Sequence, residues 1–300
     1  MVEASQWRQD IARQIAPLYA AQAGVTAVML ASSAARGRSD RYSDLDIIVF
    51  WDDLPDELAR ETILSQPPFD LIRLYPYDPE WCCWSDLATW GRDQSKARQS
   101  GLALDITHYQ NVTVKAWLHE VTVAHSTAEP PHNLLALLAG GRPLYGVACI
   151  KEWQKQISYP DGLAARMVRR YGQIDYFWRW RSALERGDNM LLFQRNMAQW
   201  GESLLRMLLA LNRVFFFGLG WQDEVLARLA LAPADFAARY QALWSLGPAE
   251  QAEALRRLIE ESYDLVEIHL PEANVAWLRD VFRYQRRFWT EPPPVTKWEN

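Results

Sequence analysis

The chain has 300 residues, 49% of them hydrophobic and 23% charged, with 37 acidic and 32 basic side chains and a formal net charge of −5. That balance excludes a disordered chain and an overall basic nucleic-acid binder, so no nucleic-acid partner is expected. The length suits one large or two ordinary domains.

Three cysteines, Cys82, Cys83 and Cys149, have neither the number nor the spacing of a disulfide framework or a zinc site. No apolar run reaches the ~18–20 residues of a membrane span. The first residues lack the basic and apolar blocks of a secretory signal. A cytoplasmic, reduced protein with no membrane partner is the expectation.

Trp7, Ile11, Ile15, Leu18 and Tyr19 recur at helical spacing and predict a helix over 5–23 that stops at Gly24. "VTAVML" and "LDIIVFW" read as buried strands. "LPDELARETILS" predicts a helix with Pro55 in its first turn. "FDLIRLYPY" alternates as a third strand, and "GLALDITHYQ" is a fourth, with Asp105 in its middle. The stretch between them, "DPEWCCWSDLATWGRDQSKARQS", reads as a helix with irregular flanks.

"NLLALLAGGRPLYG" starts as a helix and ends in glycine-rich turns, and beyond Ala148 strand signals nearly vanish. "YPDGLAARMVRRYGQIDYFWRWRSALERGD" predicts one helix ending near Gly187. Met197, Trp200, Leu204, Leu208 and Leu211 then form one apolar stripe. "PADFAARYQALWSLG" and "PAEQAEALRRLIEESYDLVEIHL" each open with proline, a last helix spans about Glu272 to Trp289, and the tail "TEPPPVTKWEN" reads as extended. The expected fold is α+β. A mixed sheet flanked by helices fills residues 1–145, and a bundle of about five helices fills 146–300. Fifteen tryptophans read as core material.

The chemistry concentrates in "SSAARGRSDRYSDLDIIVF". Strand side chains alternate faces, so Asp44 and Asp46 point the same way at the mouth of an apolar strand. Like charges that close need a proton or a cation between them. A hard divalent ion, Mg²⁺ or Mn²⁺, suits carboxylate oxygens and keeps positions open for substrate phosphates. The preceding Ser32, Ser33, Ala34, Ala35 and Gly37 form a small-residue turn whose backbone N–H groups can approach an anion. Ser33 and Ser43 offer hydroxyl donors, while Arg36, Arg38 and Arg41 offer charge for a triphosphate. A D-x-D pair alone is commonly a solvated turn. The combination of strand, small-residue turn, S-D-x-D and apolar strand is more specific.

This pattern resembles the signature of the polymerase-β-type nucleotidyltransferase superfamily, G-S-x-A-x-G followed by S-D-x-D. Ser33, Ala35, Gly37, Ser43, Asp44 and Asp46 fall on it, and Ser32 departs from it, standing where the family usually has glycine. The resemblance implies an N-terminal nucleotidyltransferase domain, ATP as co-substrate, Mg²⁺ on Asp44 and Asp46, and a third carboxylate from a later strand. Asp105 is the best match by context and would be a third metal ligand, beside the plainer reading of a buried residue capping a local backbone N–H, with Asp70 second. The helical second half and "GRPLYG" resemble aminoglycoside and lincosamide nucleotidyltransferases, and the "LNRVFFFGLGW" helix ending resembles proteins carrying the uncharacterised domain DUF4037. That likeness implies a small-molecule acceptor, bound in the helical half.

Glu120 in "VKAWLHEVTVAHS" is a candidate general base, beside the plainer reading of a solvated helix charge. His108 has odd parity relative to Asp105 and is expected on the opposite face. Two further functions stay open: nucleotide transfer to a protein side chain, as in toxin–antitoxin nucleotidyltransferases, and a non-catalytic nucleotide-binding regulatory module.

Overall fold

In the computed structural model of the chain, residues 2–91, 101–187, 189–216, 218–287 and 289–291 are described, with the backbone alone at 221. They fall into two compact units, one of Met1–Leu163 and Phe215–Leu219, the other of Ala164–Val214 and Gly220–Asn300. The fold is α+β, with an open six-stranded mixed sheet in the first unit.

Helix α1 (Glu3–Ala20) buries Ala12, Ile15, Ala16 and Tyr19 against the sheet, while its first two turns bury the polar Ser5, Arg8 and Gln9. Strand β1 (Val25–Leu30) leads into α2 (Ser32–Arg36), a single short helix where the sequence suggested a turn, closed by Gly37 in the left-handed conformation at φ 75°. Strand β2 (Leu45–Trp51) is almost wholly buried. Helix α3 (Glu57–Leu64) begins after Asp56, whose carboxylate accepts the Leu58 N–H. Pro55 therefore precedes the cap instead of occupying the first turn, because the aspartate satisfies an orphan N–H that proline leaves alone.

Strand β3 (Phe69–Leu74) is followed by β4 (Trp84–Trp90), in the stretch expected to be helical. The correction has a tertiary cause. β4 lies between β3 and β5 (Leu102–Gln110) and pairs antiparallel with both, so its backbone groups are satisfied on each side. Residues 92–100 of that stretch lie outside the described residues. Helices α4 (Asn111–Thr122) and α5 (Glu129–Gly140) precede a short strand that the sequence did not suggest, β6 (Arg142–Tyr145) on β1, and then α6 (Val147–Gln156).

The sheet order is β3-β4-β5-β2-β1-β6. β2 and β5 run parallel, whereas every other neighbouring pair among the described residues is antiparallel. Leu45, Ile47, Val49, Leu104 and Ile106 pack on the α1 side with Ala12, Ile15 and Tyr19. On the opposite face Trp153 of α6 meets Phe50 and Trp117 of α4 meets Tyr109, ring centroids 5.0 and 5.9 Å apart.

The second unit is helical among its described residues. What read as one helix over "YPDGLAARMVRRYGQIDYFWRWRSALERGD" is two, α7 (Asp161–Gly172), which begins in the first unit, and α8 (Arg179–Glu185). The break follows Gly172, and Tyr176 between them takes φ 57°. The long stripe is α9 (Met190–Leu211). Short α10 (Gln222–Ala227) and α11 (Phe236–Ala242) follow, then α12 (Pro248–His269), which carries its proline in the first turn. Helix α13 (Val275–Arg283) is shorter than expected, since left-handed Asn274 precedes it. Phe177, Trp200, Tyr263 and Phe282 share a ring cluster in this core. From residue 292 the tail lies outside the described residues. No helix among them is long and apolar enough to cross a membrane.

Candidate active site

Asp44 is exposed one residue before β2, and Asp46 is the second residue of that strand. In the parallel register Asp46 stands opposite Asp105 of β5. Asp105 is half-buried and shares the face of Asp46, the face on which α4 and α6 pack. The structure thus brings together two of the carboxylates that the sequence placed nearly sixty residues apart, with Asp44 beside them.

Burial raises the Asp46 carboxyl to about 7, helped by the charges of Asp44 and Asp105, while the Ser32 hydroxyl opposes the rise. Burial also raises Asp105, followed by the charges of Asp44 and Asp86. Near neutrality the three carboxyls therefore carry fewer than three negative charges unless a cation joins them.

The loop before the pair is held from α1, a contribution the sequence reading missed. Arg8 is 2% exposed, and its Nε donates to the Ser43 carbonyl at 3.2 Å, with Nη2 on the same oxygen and Nη1 on the Ala4 carbonyl at 2.9 Å. Its charge also acts on Asp40 and Asp44. The buried Gln9 amide donates to the Ala34 carbonyl at 2.7 Å, and the Ser39 N–H donates to Ser5 Oγ at 2.7 Å. Helical spacing put Ser5, Arg8 and Gln9 on one face of α1. A buried polar face on a helix otherwise facing the core was the available signal.

The predicted phosphate-side residues divide. Ser33 is buried with its hydroxyl 3.2 Å from Ser39 Oγ, and Ser43 Oγ donates to Asp40 at 3.0 Å while accepting the Asp40 N–H at 2.9 Å, so both hydroxyls hold the loop together. Arg38 and Arg41 are exposed, and Arg41 stacks on Tyr42. Ser32 takes φ 51°, the left-handed region that penalises any side chain and favours glycine. That geometry accounts for a preference for glycine at this place in the pattern. Glu120, half-buried in the last turn of α4, makes no hydrogen bond or ion pair with the three aspartates.

The donor set fits a hard divalent cation. It is all oxygen, and a cation relieves the repulsion that adds to burial in raising Asp46 and Asp105. Among the described residues no three His, Cys, Asp or Glu side chains are grouped to hold a metal ion by themselves. Magnesium is ordinarily bound through one or two carboxylates together with water and substrate phosphates, and the adjacent Asp44 and Asp46 are the residues that would supply its protein share.

The opposite sheet face carries a second polar group that the sequence reading missed. Arg60 Nη1 donates to Asp86 Oδ1 at 2.9 Å, and His108 Nε2 lies 2.8 Å from Asp86 Oδ2. The Trp51 indole donates to His108 Nδ1 at 3.2 Å, which leaves the His108 proton on Nε2, toward Asp86. Burial lowers the His108 pKa against the pull of Asp86. These fully enclosed groups are architecture, and His108 faces away from Asp105 as its parity implied.

Two cavities are prominent. One, about 690 Å³ in the helical unit, has Arg279 and Arg283 already paired with Glu260. The other, about 560 Å³, includes Asp105 in its wall. The chemistry gathers at the second.

No protein-family model matches the sequence, and no curated protein matches it. A solved structure described as a nucleotidyltransferase-like protein from Exiguobacterium sibiricum is similar at 12% identity and a TM-score of 0.39, covering 95% of this chain and 82% of its own. At that score the likeness is too distant to carry an argument about this chain.

Proposed function

We propose that the protein is a Mg²⁺-dependent nucleotidyltransferase that moves a nucleoside monophosphate, AMP from ATP, to a hydroxyl of a small molecule. The observation that carries this reading is the register pair Asp46–Asp105, with Asp44 alongside and the anchored loop of α2 directly before it. The S-D-x-D pattern and its small-residue turn support it from the sequence.

Asp44 and Asp46 would hold the cation, whose chemistry there would be charge neutralisation at the phosphate oxygens. Backbone N–H groups of the α2 loop and the exposed Arg38 and Arg41 receive the remaining phosphate charge. The acceptor oxygen forms a bond to the α-phosphorus, the bond from that phosphorus to the bridging oxygen breaks, and pyrophosphate leaves with the electron pair. The hydroxyl proton passes to Asp105, whose raised pKa brings it nearer the operating pH of a general base. Position favours Asp105 over Glu120 for that role. The chain contributes alignment and charge neutralisation.

Calorimetric titration of ATP with and without Mg²⁺, on the wild type and Asp44→Ala, tests the reading. Binding that needs Mg²⁺ and disappears in the variant supports it. Failure of ATP, GTP and CTP to bind the wild type at millimolar concentration overturns it.

A further inference from the structure

The helical unit carries the cavity of about 690 Å³, which the proposed reaction does not use. Its volume lies within the ordinary range for small-ligand sites. Faces of α8, α12 and α13 build its wall. Glu253, Arg256, Glu260 and Asp264 recur along α12 at helical spacing and so share one face. Arg279, Phe282 and Arg283 share a face of α13 in the same way. Phe177, Trp180 and Arg181 come from the start of α8 and the residues just before it.

The most buried of these lining residues are rings, and they are locked. Phe177 and Phe282 are both buried, with centroids 4.8 Å apart. Phe177 also leans on Trp200 at 4.7 Å and Phe282 on Tyr263 at 5.7 Å. A flat ligand meets ring surface there that has little freedom left to lose.

The charged residues divide into a closed group and an open one. Glu260 accepts Arg279 Nη1 at 2.9 Å and Arg283 Nε and Nη2 at 2.7 and 2.8 Å, and Arg279 Nη2 goes on to Asp264 at 2.8 Å. Two guanidinium groups there meet two carboxylates. Glu253, by contrast, serves both Arg181 and Arg256. Arg256 donates to it through Nε at 2.7 Å, and neither of its Nη nitrogens has a hydrogen-bond partner among the described residues. Arg181 Nη2 stands 3.9 Å from the same carboxylate, beyond hydrogen-bond length, while its guanidinium covers the Trp180 ring at 5.2 Å. Two cations share one anion, so this group keeps one positive charge and unused N–H donors beside aromatic rings.

A carboxylate matches what is left over. It is planar, carries a single negative charge and takes paired N–H donors from a guanidinium fork. A phosphate dianion would exceed the one charge to be neutralised. We propose that this cavity is a small-molecule binding site of the helical unit and takes a flat aromatic monocarboxylate, with its ring against the Phe177 and Trp180 side and its carboxylate on Arg181 and Arg256. Such a ligand needs no hydroxyl to receive a nucleotide, so the site stands apart from the transferase reading.

The test uses the full chain and calorimetry with indole-3-acetate, its neutral isostere indole-3-acetamide, and cyclohexylacetate, which keeps the charge without the flat ring. Wild type, Arg256→Gln and Glu253→Gln are compared. On the wild type, indole-3-acetate should bind more tightly than either other probe by about tenfold or more. Arg256→Gln should weaken it by about tenfold. Glu253→Gln removes the competing anion and should tighten it by roughly threefold, a gain that damage to the fold would not give. The assignment is overturned by no binding of indole-3-acetate to the wild type at millimolar concentration, by equal affinity for the acid and the amide, or by equal affinity for the two acids. Unchanged affinity in Arg256→Gln, or weaker binding in Glu253→Gln, overturns it as well. The three probes on the wild type decide the matter if a variant does not fold.

Discussion

Asp46 and Asp105 stand directly opposite each other on neighbouring parallel strands, side chains on one face, with Asp46 raised to about 7. The strand pairing imposes this closeness, and it costs stability whenever both carboxyls are ionised.

Stability should therefore depend on pH through Asp46. Its folded pKa lies above the ordinary value of 3.8, so its contribution is fully present below 3.8 and is lost as the pH rises through about 7. Asp46→Asn should match the wild type near pH 4 and exceed it at pH 8 by roughly 1–3 kcal/mol. Urea unfolding at both pH values checks this. A gap that does not widen with pH would remove Asp46 as the source.

Ser32 offers a cleaner comparison. Ser32→Ala and Ser32→Gly both delete the hydroxyl that faces Asp46, but only glycine is at ease at φ 51°. The glycine variant should be more stable than the alanine variant by about 1 kcal/mol. Thermal melts of the two, side by side, read the difference. Equal melting temperatures would mean that the backbone relaxes out of the left-handed region.

Arg8→Lys should loosen the loop before Asp44. Lysine has no planar fork to replace the contacts on the Ser43 and Ala4 carbonyls. The loss should be about 1–3 kcal/mol of stability, accompanied by weaker ATP–Mg²⁺ binding. Arg13→Ala, which breaks the exposed ion pair of Arg13 with Asp10 on the same helix, is the control and should change stability by less than about 1 kcal/mol.

Arg60→Ala leaves Asp86 buried without its cation partner and should cost about 3–5 kcal/mol. Because Asp86 faces the side of the sheet opposite Asp46, ATP–Mg²⁺ affinity measured well below the melting temperature should hold. A fall in affinity without a fall in stability would place Arg60 in the site after all.

Much of the fold was legible because its signals are local. β2 is an apolar, β-branched run that the structure buries almost throughout, β5 follows its own strand signal, and the stripe of α9 is continuous. β4 was not legible, because its partners on both sides, and not its own residues, make it a strand. A buried Asp86 reads as a surface charge until Arg60, from a helix well upstream, is known to meet it. Asp44 and Asp46 were legible as a pair through parity. Arg8 was not, since nothing in "SQWRQD" says that its guanidinium reaches the Ser43 carbonyl 35 residues on.

The parallel pairing of β2 and β5 also bears on the order in which the chain folds. β3, β4 and β5 can form as successive antiparallel neighbours from contacts close in sequence, whereas β5 meets β2 only by closing about sixty residues. The loop entropy of that closure comes due before its contacts do. Asp105 consequently reaches Asp46 in a late step, and during synthesis the N-terminal half of the cluster emerges from the ribosome well before its partner. The like charges meet only once the surrounding sheet is able to hold them.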